Sequence, residues 1–293
     1  MKLLLVRHLW GVDLSRGFAP HLMHWREIGY HALEASPRLV PDTPLLRKTL
    51  ELEHLHWIPQ VFSNMFVGGG GVGEHLRTLR EQIEECLDAQ PLFFNAQSGS
   101  DAWTPAEAED FYGATTEMEK QLGVTISHET HRSRYFGNPW NTLRVLTTYP
   151  GLKLTCDFSH WVCVAERLLE DCTAIIQRAA VSCSHVHARV GYEQGPQVSD
   201  PRDSEYGAHL IAHEAWWDEV WAAQHSLGTE TVSATPEFGP RPYLHTLPFS
   251  HEPVADLEVI CDWMAQRLAS RFCNRFGSLC CQGVKPCNGV DGP

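Results

Sequence analysis

Short β-rich runs alternate with segments of helical spacing along almost the whole chain, and this alternation constrains the fold more than any other feature. Eight such runs cover residues 3–8, 31–34, 57–62, 92–96, 124–129, 153–157, 182–187 and 231–237. Apolar residues recur at helical spacing in the segments 74–89, 162–179 and 257–272. Thr104, Pro105 and the glutamate-rich turn after them predict the start of a further helix.

The alternation predicts a single α/β domain, a closed (β/α)8 TIM barrel. A doubly wound open sheet is the alternative, but no glycine fingerprint follows the first run. The glycine run at 68–71 lacks a following Gly-Lys-Ser/Thr and is therefore interpreted as a loop. We expect the barrel domain to cover residues 1–272 and a short Cys-rich tail, residues 273–293, to lie outside it.

The composition and the net charge disfavour several classes of protein and of binding partner. With 43% hydrophobic residues, the chain has the makings of a large buried core rather than of a disordered segment. Its formal charge of −13 disfavours nucleic acid and anionic membrane surfaces. Arg7, His8 and Asp13 interrupt the apolar start, and no run reaches the ~18 apolar residues of a membrane span. We expect a cytoplasmic protein whose partner is a small molecule.

The cysteines fall into two groups. One group lies inside periodic segments and is expected to be buried as small hydrophobic residues, namely Cys86, Cys156, Cys163, Cys172, Cys183 and Cys261. The other group, in the tail, consists of Cys273, Cys280, Cys281 and Cys287. Its spacing contains no Cys-x₂-Cys pair, so a zinc site is not predicted there.

Strong polar residues follow the apolar strand cores, where the strands of a barrel converge on one mouth. They are His8, Trp10, Glu34, Gln60, Asn95, Gln97, Glu129, Asp157, His160, His185, His187 and Glu237.

The last four strands carry a pattern typical of a metal centre. Glu129, Asp157, His187 and Glu237 each close one strand, and the strands are neighbours in the ring. Three converging carboxylates would repel one another and raise one another's pKa unless a cation lay between them. Three oxygen donors and one nitrogen favour one divalent ion, Mn²⁺, Mg²⁺ or Co²⁺, with Zn²⁺ also compatible.

Four segments resemble the xylose isomerase-like TIM-barrel superfamily. They are His-Glu-Thr-His at 128–131, Cys-Asp-Phe-Ser-His-Trp at 156–161, His-Val-His-Ala-Arg at 185–189 and Thr-Pro-Glu-Phe-Gly-Pro at 235–240. The resemblance covers roughly residues 1–270. It identifies the superfamily but does not choose among its isomerases, epimerases, dehydratases and endonucleases, and it allows a homo-oligomer.

The resemblance implies roles for the individual residues. In the isomerase and epimerase members, the matching residues bind the metal, and the two glutamates, here Glu129 and Glu237, exchange a proton with the substrate through an enediolate. His160 matches a histidine that contacts substrate oxygens. His185 and His187 point to the same face of a strand. His187 is chosen as the ligand because it lies nearer the strand end, and His185 is left as a neighbouring or substrate-binding residue.

Further substrate contacts are predicted from side-chain chemistry. Arg189 and Arg202 follow strand ends and could bind a substrate anion or neutralise the loop carboxylates Glu193 and Asp200. Trp10 could stack against a sugar or pack within the mouth. Gln97 closes the fourth strand.

The function expected from this pattern is a metal-dependent isomerase or epimerase of a small sugar or hydroxy-carbonyl compound. A dehydratase of a polyol or cyclitol ketone shares the first step and remains the alternative. An endonuclease-like trinuclear zinc site is disfavoured, because Gln60, Asn95 and Arg202 stand where metal-binding residues would be needed. A barrel that binds without catalysis is disfavoured by the intact ligand set.

Overall fold

The computed structural model describes residues 1–40, 43–64 and 70–277, and within them eight parallel strands close into a barrel in the order β1 to β8. The strands are β1 Lys2–His8, β2 Ala32–Ala35, β3 His56–Phe62, β4 Phe94–Gln97, β5 Ile126–Glu129, β6 Lys153–Cys156, β7 Cys183–His187 and β8 Thr231–Thr235. The ring is closed by β1 and β8, which pair from Lys2 with Thr231 to Leu5 with Ala234. The predicted TIM barrel is confirmed.

Helices connect the parallel strands on the outside of the barrel, as parallel pairing requires. They are α1 Ala19–Ile28, α2 Thr43–Glu53, α3 Val72–Glu84, α4 Pro105–Leu122, α5 Pro139–Thr148, α6 Phe158–Ala165, α7 Thr173–Ser182, α8 Gly207–Ser226 and α9 Leu257–Phe276. The start of α4 is a capping box, in which Thr104 accepts from the backbone of Glu107 and Glu107 accepts from the backbone of Thr104.

One expectation from helical spacing is wrong. The segment 162–179 is not one helix, because α6 ends at Ala165, its C-cap Glu166 has a φ of +51°, and a short 3₁₀ turn, Glu170–Cys172, precedes α7. A left-handed residue breaks the α-helical hydrogen-bond ladder even where the apolar spacing continues.

The last helix, α9, runs to Phe276 and therefore crosses the expected boundary at residue 272. Gly68, Gly69 and the tail residues Cys280, Cys281 and Cys287 lie outside the described residues.

The apolar core lies between the strands and the helices, whereas the interior of the barrel contains buried polar residues. Leu33, Leu154 and Trp217 are typical of the outer layer and are fully buried. Glu34, Asn95, His185 and His187 are buried polar residues of β2, β4 and β7 inside the barrel. Among the described helices, none is both long and apolar enough to cross a membrane.

Candidate metal centre

The four residues expected as metal ligands converge at the carboxyl ends of the last four strands. Glu129 and His187 end β5 and β7, Asp157 follows β6 directly, and Glu237 stands two residues beyond β8. All four are buried, and one potential ligand atom of each lies within 4.8 Å of those of the others. Nδ1 of His187 is 2.9 Å from Oε2 of Glu237 and 3.7 Å from Oε1 of Glu129.

Asp157 is oriented by the start of α6. It is the N-cap of this helix, and its Oδ1 accepts hydrogen bonds from the backbone N–H of Ser159 at 3.0 Å and from the Ser159 hydroxyl. An N-cap aspartate satisfies one of the free N–H groups of the first turn. Because Oδ1 is used in this way, Oδ2 is the oxygen that faces the centre.

The donor atoms fit a divalent cation. Glu129 Oε1, His187 Nδ1 and Glu237 Oε2 are buried and face one another, and among the described residues they have no hydrogen-bond partner beyond these contacts and the 3.4 Å approach of Arg189 Nη2 to Glu237 Oε2. Buried polar atoms are otherwise almost always hydrogen-bonded, so two carboxylate oxygens and an imidazole nitrogen that face one point indicate a place for a positively charged ligand. With Asp157 the set provides three carboxylates and one imidazole, a combination that suits Mn²⁺, Mg²⁺, Co²⁺ or Zn²⁺.

Burial and the neighbouring charges shift the pKa values of the residues at this centre. Burial raises the pKa of Asp157 to about 6, although the guanidinium of Arg189 acts in the opposite direction. Burial would lower the pKa of His187, but Glu237, Glu34 and Glu129 raise it well above its usual value. Burial also acts to raise the pKa of Glu237, and His187 and Arg189 lower it on balance. A bound cation would replace the protons that these groups share.

Arg189 lies against the metal-facing residues. Its Nη2 forms an ion pair with Asp157 and is 2.8 Å from Nε2 of His160 and 3.4 Å from Oε2 of Glu237. The guanidinium also stacks on Tyr243 at 5.0 Å. Since Arg189 cannot lose its charge, Nε2 of His160 accepts this hydrogen bond and the imidazole is neutral. Burial, together with nearby His131 and Arg189, holds the pKa of His160 well below its usual value.

A cavity of about 310 Å³ opens above these residues. Of the four expected metal-binding residues, Glu237 lines it among the described residues, as do Arg189 and His131, and the lining includes aromatic and amide side chains, namely Trp10, Gln60, Phe62, Gln97 and Tyr243. A pocket of this size that combines apolar walls with a few polar groups is typical of a small-molecule site.

The other expected substrate contacts are distributed differently. Trp10, Gln97 and Arg189 line the cavity. His160 is fully buried behind Arg189, with its ring 4.0 Å from that of His131.

His185 and Arg202 are not among the residues that line the cavity in the described part of the chain. His185 lies inside the barrel, with Nδ1 2.8 Å from Ser233. Arg202 forms a 2.6 Å ion pair with Asp200, as the alternative of loop neutralisation expects.

Sequence reasoning missed the contribution of Tyr243 and His131 to the cavity. Tyr243 follows β8 in a long connection with no strand or helix periodicity, and no signal in the sequence places it over the mouth. His131 was visible within the motif His-Glu-Thr-His, two residues after Glu129, which is the spacing that puts two strand-end residues on one side.

Comparison with solved structures finds proteins of the same fold. Similar structures include a D-tagatose 3-epimerase-like protein, with 12% sequence identity, a TM-score of 0.62 and coverage of 94% of this chain and 98% of that one. A xylose isomerase-like TIM barrel protein from Mycobacterium smegmatis in complex with magnesium has 12% identity, a TM-score of 0.62 and coverage of 92% and 96%. An AP endonuclease of family 2 from Brucella melitensis has 15% identity, a TM-score of 0.59 and coverage of 90% and 98%.

No family model and no curated protein sequence matches the chain. The structural likeness nevertheless defines the fold: it is that of the xylose isomerase-like TIM barrels, as the sequence motifs indicate. The proteins of this fold include epimerases, a dehydratase and an endonuclease, so the reaction has to be inferred from this chain's own residues.

Proposed function

We propose that the chain is a divalent-metal-dependent isomerase or epimerase of a small sugar or other hydroxy-carbonyl compound. The observation that carries the proposal is the pair of buried carboxylate oxygens, Glu129 Oε1 and Glu237 Oε2, which face the same imidazole nitrogen of His187 beside a small cavity that Glu237 lines. Glu129, Asp157, His187 and Glu237 would hold the ion. When bound, the ion would polarise the substrate carbonyl and make the neighbouring C–H more acidic.

The two glutamates would move the proton. One carboxylate removes a proton from the carbon beside the carbonyl, which gives an enediolate, and the second carboxyl group returns a proton to the other face or to the adjacent carbon. Return to the other face inverts the stereocentre, whereas return to the adjacent carbon, with transfer of the hydroxyl proton from one oxygen to the other, exchanges ketose and aldose.

The cavity walls would hold the substrate in place. Gln97 offers both donors and acceptors to substrate hydroxyls, and Trp10 offers an aromatic face to C–H groups. Arg189 is held by Asp157 and stacked on Tyr243, so its remaining N–H groups would approach substrate oxygens from a fixed position. The net charge of −13 disfavours the alternative of an endonuclease, because an acidic protein repels nucleic acid.

The first test measures the metal content of the purified protein and of the Asp157→Asn variant. Asparagine keeps the N-cap of α6 but removes a charged ligand, so the variant should fold and lose the ion. We expect about one divalent ion per chain in the natural protein and much less in the variant. Asp200→Asn, which removes a carboxylate that pairs with Arg202 outside the cavity, should keep the ion.

The second test follows the reaction itself. Ketoses and aldoses are incubated in deuterium oxide, and the expected result is deuterium at the carbon beside the carbonyl, together with an epimer or isomer. Glu237→Gln should abolish turnover far more than it weakens substrate binding. An unsaturated ketone as product would assign the chain to the dehydratases, and a metal-free natural protein that stays metal-free with added Mn²⁺ or Co²⁺ would overturn the proposal.

A further inference from the structure

We infer that Glu34 is the positioning residue of the metal centre, and that it orients the ring of His187 so that Nδ1 is the nitrogen presented to the metal. The inference rests on the proposed function, because it presupposes an ion among Glu129, Asp157, His187 and Glu237. It adds a buried carboxylate, from β2 on another side of the barrel, that is not among the described residues lining the cavity.

The geometry places the two nitrogens of His187 between two sets of carboxylates. Nε2 of His187 is 2.9 Å from Oε1 of Glu34, while Nδ1 faces Glu237 and Glu129 at 2.9 and 3.7 Å. Glu34 and His187 are buried. A proton on Nε2 therefore has an acceptor, and this leaves the lone pair of Nδ1 free to bind the ion, an arrangement that recurs around metal-binding histidines.

The other partners of Glu34 agree with this assignment of protons. Oε1 also accepts from Nδ2 of Asn95 at 2.8 Å, and Oε2 accepts from the hydroxyl of Thr235 at 2.6 Å. The same amide group of Asn95 donates to Glu129 Oε2 at 3.2 Å, which fixes a second expected metal-binding residue. Nδ2 of Asn95 also lies 3.4 Å from Nε2 of His187, but its two contacts with carboxylate oxygens are shorter, so both amide hydrogens are assigned to the carboxylates.

His185 completes the network. Its Nε2 lies 3.3 Å from Oε2 of Glu34 and 3.0 Å from the Thr235 hydroxyl, and its Nδ1 lies 2.8 Å from the hydroxyl of Ser233. A neutral His185 with its proton on Nε2 satisfies all of these contacts if Ser233 donates to Nδ1. His185 therefore donates a hydrogen bond to Glu34 inside the barrel and is not among the described residues that line the cavity.

The cluster of Glu34, His185 and His187 could also be considered as a second cation site, since one potential ligand atom of each lies within 4.8 Å of those of the others. The hydrogen bonds argue against this. Both oxygens of Glu34 already accept from Asn95 and Thr235, and a cation bound to Nε2 of His187 would displace the proton that orients the ring. The arrangement is that of a hydrogen-bonded carboxylate.

Only an ionised carboxylate can play this part. It accepts from every neighbour and donates to none, whereas a glutamine of the same length would direct an N–H₂ group at some of these donors. Glu34→Gln therefore keeps the volume of the side chain, removes its charge and replaces one of its two acceptor oxygens with a donor.

The experiment measures Mn²⁺ affinity of the full chain by competition with a fluorescent chelator at pH 7.5. We expect Glu34→Gln to bind Mn²⁺ about 10- to 100-fold more weakly than the natural protein, which is the usual loss when a partner of a metal-binding histidine is removed. Thermal unfolding of the metal-free proteins shows whether the variant is folded.

The matched control is Glu214→Gln, which also removes a buried carboxylate. Glu214 pairs with Arg267 and Arg271 between α8 and α9, away from the centre, so this variant should keep the natural Mn²⁺ affinity. Equal loss in both variants would show a merely structural effect and overturn the inference. Unchanged affinity in Glu34→Gln would also overturn it while leaving the proposed function intact, and failure of the natural protein to bind any metal would overturn both.

A second variant covers the case in which Glu34→Gln does not fold. Thr235→Val has nearly the same shape and removes the 2.6 Å hydrogen bond to Oε2 of Glu34, together with the 3.0 Å contact with Nε2 of His185. We expect several-fold weaker Mn²⁺ binding, and an unchanged dissociation constant would contradict the role assigned to Glu34.

Discussion

Asp157 serves two purposes with its two oxygens. Oδ1 caps α6 through Ser159, and Oδ2 faces Arg189 and the other residues of the centre. Burial raises the pKa of this carboxyl to about 6, so the group changes its protonation state around that pH. His187 adds a second proton, because Glu237 and Glu34 raise its pKa well above the usual value against the effect of burial.

Metal binding should therefore depend on pH in a definite direction. A metal ligand must be deprotonated, so binding of Mn²⁺ displaces protons from Asp157 and His187, and the affinity rises as the pH rises through about 6. We expect binding to be at least about tenfold weaker at pH 5 than at pH 7. Calorimetric titration with Mn²⁺ in buffers of different ionisation enthalpy counts the protons released. An affinity that does not change between these pH values would contradict the assignment of Asp157 as a ligand.

At the scale of elements, the loop after β7 sets the position of α6. Gly191 lies against the first turn of that helix, where a Cβ atom would come 2.8 Å from both the Cβ and the carbonyl oxygen of Ser159. Its N–H also donates to Nε2 of His213 on α8, at 3.3 Å. The loop and the helix start that carries Asp157 therefore pack directly on each other.

Gly191→Ala should displace the start of α6. Because part of the collision is with backbone, we expect a loss of about 1–3 kcal/mol in the free energy of unfolding, as for other overpacked sites, together with weaker Mn²⁺ binding. Gly207→Ala is the matched control, since Gly207 has a helical φ of −56° and, beyond its adjacent residues and the backbone of its own helix, no atom of the described residues lies within 4 Å of the place that an alanine methyl group would take. Denaturant unfolding and Mn²⁺ titration of both variants check this. Equal behaviour of the two would show that the close approach at Gly191 does not hold α6 in place.

The sequence predicts those features of the strands, helices and site that depend on local residue patterns, and not those that depend on backbone conformation or on distant contacts. Each strand is a short apolar run with a polar end, so the order of strands and the convergence of Glu129, Asp157, His187 and Glu237 could be predicted from the sequence. The break between α6 and α7 could not, because it depends on the backbone conformation of Glu166 and not on apolar spacing. The role of Glu34 also could not, since it arises from contacts between residues 153 positions apart that meet only when the barrel closes.

At the scale of the whole molecule, folding buries several histidines as neutral rings. Burial lowers the pKa of His128 and of His213 to about 3. His128 packs between β5 and α4, with Nδ1 2.7 Å from the hydroxyl of Ser98, and its ring edge meets Tyr112. His213 accepts from the backbone of Gly191 and contacts the carbonyl of His209. Neither ring gains a counter-charge from these partners, so protonation is costly in the folded state.

The fold should therefore lose stability in acid through these rings as well as through its carboxylates. The unfolded chain protonates His128 near pH 6.5, whereas the folded chain does so only near 3, so the unfolded state binds more protons between these values. The contribution of each such histidine to the free energy of unfolding is present above pH 6.5 and is lost progressively as the pH falls, at about 1.4 kcal/mol per pH unit.

Chemical denaturation of the metal-free protein at pH 7.5, 6.0 and 5.0 measures the slope of the free energy of unfolding against pH. His128→Gln, which keeps a side chain able to hydrogen-bond with Ser98, should make the slope shallower by about that amount. His251→Gln, at an exposed position, controls for the substitution itself. An identical slope in the natural protein and in His128→Gln would mean that the folded state accommodates a charged ring at this position, and the burial of neutral histidines would then not account for acid sensitivity.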